Sequence, residues 1–176
     1  MPGIRLTAVP QPDGSFDVTE DLMLPEATNI IQLQVPDSGE HLPGMMTRTD
    51  PRATSLQVVA DGQAVPLEQT TLTGATDLPL TVAATKISLT YRLSGSAVQR
   101  TPSKPRRAGA AIRPLTASTE GSLPATLRVT GDGLLNAVCP LMSETLCAVG
   151  NPPKLTIQPD IPANKALVVL QLDLPG

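Results

Sequence analysis

The 176-residue chain has no tryptophan and only one phenylalanine, one tyrosine and one histidine. Phe16 and Tyr91 are thus the only ring faces available for stacking. Sugar-binding modules, single-stranded nucleic acid binders and membrane-interface domains all depend on such faces. Their scarcity argues against all three, and any core must be aliphatic. Charge is also scarce, at 16% of residues, against about 25% in an ordinary globular chain. The net charge of −3 provides no general field for a polyanion, so a nucleic-acid partner is not expected.

No apolar run reaches the ~18 to 20 residues that a spanning helix requires, so no membrane span is expected within the chain. The opening segment "MPGIRLTAVPQPDG" has neither the apolar region nor the cleavage site of a secretory signal. That fits either a cytoplasmic protein or an excised mature domain. The glycine-rich phosphate-binding motifs are missing. With one histidine and two cysteines, the chain cannot assemble a tetrahedral zinc site without acidic help, and no metal or cofactor is expected.

Proline and glycine are plentiful, at 19 and 13 residues. Proline blocks helix interiors, so the chain is cut into short pieces. Those pieces alternate. "KISLTYRL" sets Ile87, Leu89, Tyr91 and Leu93 on one face and Ser88, Thr90 and Arg92 on the other; "NIIQLQVP", "TLRVT", "KLTIQP" and "LVVLQLDLP" repeat the pattern. A period of two, apolar inward and polar outward, marks half-buried strands. Asp-Gly pairs at 13–14, 61–62 and 132–133 tolerate positive φ and read as hairpin turns.

Ten to twelve short strands are predicted, near 3–9, 15–24, 29–35, 54–60, 63–67, 78–83, 86–95, 111–117, 124–130, 134–138, 154–158 and 165–174. The expected fold is all-β, an antiparallel β-sandwich of immunoglobulin-like or Greek-key type. Residues 36–53 and 96–111 read as long loops. The chain is expected to form one domain over 1–176; the alternative is two β subdomains, 1–95 and 112–176, joined by the loop 96–111.

Four groups of residues carry potential chemistry. Cys139 and Cys147 stand eight positions apart, with Pro140 directly after the first. That spacing is not a CxxC redox motif, and it suits a disulfide closing a short loop after strand 134–138; two buried free thiols are the alternative. A disulfide places the working protein outside the cytoplasm. The run "QRTPSKPRR" gathers Arg100, Lys104, Arg106 and Arg107 around Pro102 and Pro105, which keep it extended. It reads either as a solvated loop or as a contact for an anionic surface polymer, lipid headgroups or an acidic protein face.

The acidic run "PDGSFDVTED" carries Asp13, Asp17, Glu20 and Asp21, without the spacing of a calcium loop. Alternation puts Asp17 and Asp21 on one face and Glu20 on the other, and the run reads as a solvated strand edge. His41, beside Glu40 and near Ser38, lies in nothing resembling a nucleophile elbow. Met45 and Met46 read as part of a loop tucked over the core.

"DGSFDVTEDLMLP" and "ISLTYRLSG" together resemble the extracytoplasmic β-domains of bacterial, particularly actinobacterial, membrane-anchored surface proteins. The resemblance spans about the first 95 residues. It implies a surface-exposed β-sandwich on the outer side of a membrane, and it brings no catalytic residues. The membrane helix of such proteins is missing here.

The expected role is therefore that of a non-enzymatic extracytoplasmic module, structural or binding, at the cell surface. The alternatives are a structural subunit of a phage, capsid or filament assembly and, more remotely, a hydrolase using a carboxylate pair. If Cys139 and Cys147 are bridged, alkylation of the denatured, unreduced protein will leave its mass unchanged, and reduction will add two alkyl groups. Two additions before reduction would make them free thiols and remove the compartment assignment with the bridge.

Overall fold

The computed structural model describes residues 1–43, 45–100 and 106–175. Its strands are β1 (Gly3–Pro10), β2 (Phe16–Gln34), β3 (Arg52–Ala60), β4 (Gln63–Ala64), β5 (Ala75–Ser94), β6 (Ala97–Gln99), β7 (Arg107–Ile112), β8 (Pro124–Val129), β9 (Leu134–Val138), β10 (Ala148–Val149), β11 (Thr156–Ile157), β12 (Ile161–Pro162) and β13 (Val168–Asp173). Two single 3₁₀ turns, Gly39–His41 and Ala163–Lys165, complete the regular structure.

A seven-stranded sheet runs β12-β8-β1-β2-β5-β3-β4, and a four-stranded sheet runs β6-β7-β13-β9. Both feed one aliphatic cluster, in which Ile4, Leu6, Val18 and Leu89 of the larger sheet join Ile112, Leu134 and Leu170 of the smaller. This is the all-β sandwich that the alternation implies. One pairing departs from the antiparallel rule, since β1 and β8 run parallel, with Leu6 opposite Leu127. That pairing and the shared cluster join residues on both sides of 96–111.

The periodicity places side chains correctly. Ile87, Leu89, Tyr91 and Leu93 are all buried, and Arg92 is exposed. Three features differ from the sequence reading. Residues 96–111 are not a loop throughout, because β6 and β7 form a hairpin, with Ala97 opposite Ala110. The predicted strand at 111–117 lies earlier, at 107–112. The third difference concerns the Asp-Gly pair at 132–133. It does not close a hairpin, for β8 belongs to the larger sheet and β9 to the smaller. At 61–62 the hairpin does form: Asp61 and Gly62 both take positive φ, 46° and 82°, between β3 and β4. The Asp61 carboxylate then accepts the Lys86 amide at 2.9 Å, which fastens the turn to β5.

β2 and β5 are long but not straight. Their register slips between Met23 and Thr28 and again between Thr28 and Ile30. The first slip inserts extra residues in β2 and the second in β5, with Leu24 and Leu80 tucked inward. Such bulges bend a ribbon and sharpen its twist. The bend here is severe. Leu115 donates its amide to Glu20 at 2.8 Å and accepts the Gln34 amide at 2.9 Å. Fully extended, the stretch from Glu20 to Gln34 would span about 46 Å, yet both ends reach one residue. The ribbon therefore folds back at its bulges. The separate predicted strands 15–24 and 29–35 match its two arms.

Gly133 marks a close approach, since a Cβ there would run into the Asp173 carbonyl, which itself neighbours the Gly133 carbonyl's partner, the Asp173 amide at 2.8 Å. Gly74 has open space around its Cβ position. Gly133→Ala is expected to lower stability by about 2 kcal/mol or more through forced backbone movement, and Gly74→Ala to change it by under about 1 kcal/mol. Urea denaturation of the two variants checks this; equal effects would remove the close approach.

Candidate functional site

Glu20 is the one fully buried carboxylate among the described residues, at 0% exposure. It sits on β2 between Val18 and Leu22, on the face that alternation assigns to the core. The acidic run is thus not a solvated strand edge. β2 lies inside the sheet, flanked by β1 and β5; Asp17 and Asp21 face solvent, and Glu20 between them faces the core. The presence of an acid on an otherwise apolar face was the signal available in the sequence.

Four donors meet the buried carboxylate. Oε1 accepts the Leu115 amide at 2.8 Å and the Tyr91 hydroxyl at 3.1 Å. Oε2 accepts the Thr116 amide at 3.0 Å and the Thr116 hydroxyl at 2.6 Å. Burial raises the carboxyl pKa above its ordinary value, and hydrogen bonds from Thr116, Leu115 and Tyr91 pull it partly back. The Tyr91 hydroxyl is pushed well above its ordinary value, first by burial and then by the neighbouring carboxylate.

With every lone pair engaged and no exposure, Glu20 cannot serve a substrate as acid or base. Its chemistry is internal: it satisfies the backbone of the crossover that carries the chain from β7 in one sheet to β8 in the other.

The basic run is held against the protein itself. Arg100 donates to the Met45 carbonyl at 2.8 Å, Arg106 donates to the Pro175 carbonyl at 2.8 Å, and Arg107 pairs with Asp173 at 3.3 Å. Lys104 lies outside the described residues, as does the side chain of His41. Ser38 accepts the Thr49 amide at 3.0 Å, and Thr49 accepts the Gly39 amide at 2.7 Å, which closes the neck of the 36–53 loop. The methionine pair divides: Met45 is 1% exposed and Met46 is 81% exposed.

Cys139 and Cys147 are bridged, with Cα atoms 5.9 Å apart. The bridge staples residues 139–147 against the edge of β9, where the Cys139 amide donates to the Thr145 carbonyl at 2.7 Å. Both sulfurs join the main cluster, while Leu141, Leu146 and Val149 around them stay exposed. Among the described residues, no three His, Cys, Asp or Glu side chains come together as metal ligands. No helix there is long and apolar enough to cross a membrane.

No protein-family model and no curated protein matches the chain. Among solved structures, it is similar to an aminopeptidase N family protein from Idiomarina loihiensis, with 12% identity and a TM-score of 0.54, over 96% of this chain and 29% of that one. An M1 zinc metallopeptidase from Deinococcus radiodurans aligns with 16% identity and a TM-score of 0.40, over 97% of this chain and 37% of that one. The chain thus spans about a third of the length of these peptidases. The first likeness defines a class of fold, a β-sandwich that also occurs as one part of a much larger protein.

Removing the Glu20 carboxylate should therefore be felt as stability. Glu20→Ala leaves two buried amides unpaired and is expected to cost about 3 kcal/mol or more. The pH dependence has a definite sign. Because the folded-state pKa is raised, the contribution of Glu20 is full below the ordinary carboxylate range and is lost as pH rises through the folded-state value. The stability of Glu20→Gln relative to the wild type should therefore improve between about pH 4 and pH 8. A relative stability that worsens over this range would reverse the assigned direction. Chemical denaturation at several pH values reads both.

Proposed function

We propose that this chain is a non-enzymatic β-module that works outside the cytoplasm as one structural or binding part of a larger body. The observation that carries this reading is one of proportion: the fold matches 96% of this chain, yet accounts for only 29% of the aminopeptidase N family protein that shares it. A fold does not carry a function by itself, and so small a share of a larger protein suits a structural or binding part. The buried disulfide supports an oxidising compartment. The fully engaged Glu20 and the internally paired arginines support a scaffold role over a catalytic one.

A second reading keeps the hydrolase connection and makes the module the β portion of a peptidase-like protein. What favours it is the likeness of the fold to part of an aminopeptidase N family protein. Either way the isolated chain should be inert. With zinc supplied, it is expected to release no product from aminoacyl-p-nitroanilide substrates; zinc-dependent turnover abolished by a chelator would overturn the non-enzymatic assignment. Light scattering should give a concentration-independent monomer. A mass that grows with concentration would move the assembly-subunit alternative ahead.

A further inference from the structure

The 36–53 loop lies over the outer face of the four-stranded sheet. Leu42 and Met45 from the loop pack there with Ala111, Leu167, Val169 and Val98. Two polar side chains share that face. The Ala111 amide donates to the Ser96 carbonyl at 3.4 Å, continuing the β6–β7 register and setting Ser96 opposite Ala111. Val168 is opposite Ile112 at the end of the β13–β7 register, and continuing it by one step sets Leu167 opposite Arg113. Opposed residues of an antiparallel pair point to the same face. Ser96 and Arg113 therefore flank Ala111 beside the small apolar cluster.

These two residues are also the described ones with a buried side-chain polar atom lacking any hydrogen-bond partner, Ser96 Oγ and Arg113 Nε. Ser96 is 1% exposed. A buried donor without a partner carries the full penalty of its lost solvation. Two further arginines lie on this face. Arg100 and Arg107 stand opposite each other further along the same face, the Arg100 amide donating to the Arg107 carbonyl. The acid facing them from β13, Asp173, is engaged by Arg107 at 3.3 Å.

We propose that Arg113 and Ser96 form a binding site for a small oxyanion beneath the 36–53 loop. A planar or tetrahedral oxyanion accepts from the guanidinium and from the serine hydroxyl at once, satisfying both orphans and balancing the charge; water can accept from both donors but brings no charge. Arg113 is half-buried, which leaves a small solute a way in. This inference does not depend on the module reading above and stands or falls separately.

The test is a titration of the whole chain with phosphate, sulfate and acetate, each against chloride at equal ionic strength. Thermal melting and the NMR signal of the Arg113 side-chain N–H are the readouts. At least one of the three should give a saturable shift beyond chloride, and Arg113→Gln should weaken it at least about tenfold. Phosphate or sulfate selectivity assigns a tetrahedral ligand, and acetate selectivity a carboxylate. No saturable response to any of the three, or a response that survives Arg113→Gln, overturns the site. Far-UV circular dichroism first establishes that Arg113→Gln folds. If it does not, Ser96→Ala takes its place, and the site is overturned if Ser96→Ala leaves the Arg113 response unchanged.

Discussion

A carboxylate in an aliphatic core holds this molecule to one arrangement. Burying an acid is costly unless its oxygens are fully hydrogen-bonded, and Glu20 receives two amides and two hydroxyls. What it organises in return is the crossover after β7. Residues 113–119 belong to no strand, yet they must pass between the sheets without leaving amides bare. Glu20 caps Leu115 and Thr116, Gln34 donates to the Leu115 carbonyl, and the Thr119 hydroxyl binds both the amide and the carbonyl of Gln32. The same contacts draw the two arms of β2 together around the crossover. Ribbon bend, crossover path and sheet stacking are thus one constraint seen from three sides.

Against that interior, the surface is modest. The outward residues of β1, β2 and β5 include several threonines, an ion pair of Arg92 with Asp17 at 3.1 Å, and the Ser88 hydroxyl donating to Asp21 at 2.7 Å. The exposed apolar side chains that cluster in sequence are those of the stapled flap, Leu141, Leu146 and Val149. A disulfide there stabilises by limiting the unfolded chain, at about 2 to 3 kcal/mol for so short a loop. It fastens a segment whose own regular structure is the two-residue pairing of β10 with β11. An aromatic-poor protein with a bridged flap and a bent ribbon is built for shape persistence, which is consistent with the scaffold role proposed for it.

Much of the fold was legible in the sequence because burial in a sheet is read two residues at a time. The alternation around Ile87 to Leu93 and Ile31 to Val35 placed those side chains on the core face. The cysteine spacing anticipated the bridge that the structure contains. What local pattern cannot encode is the destination of a strand. The Asp-Gly pairs at 61–62 and 132–133 look alike, but the first returns to its own sheet and the second crosses to the other. The Glu20 site failed for the same reason. Its position on an apolar face was visible, but its donors lie 71 to 96 residues away, at Tyr91, Leu115 and Thr116. The hairpin of β6 and β7 was obscured by a proline-rich, basic stretch that reads as loop. The orphaned Nε of Arg113 left no sequence signal.

Amide hydrogen exchange at Leu115 and Thr116 tests the central claim most directly. Both amides lie outside any strand, where exchange is ordinarily fast. If the Glu20 carboxylate holds them, they will exchange only as slowly as the core strands β2 and β5, at the free energy of global unfolding. Exchange at the rate of an open loop would contradict the account, because the crossover would then be free of the carboxylate that is said to fix it.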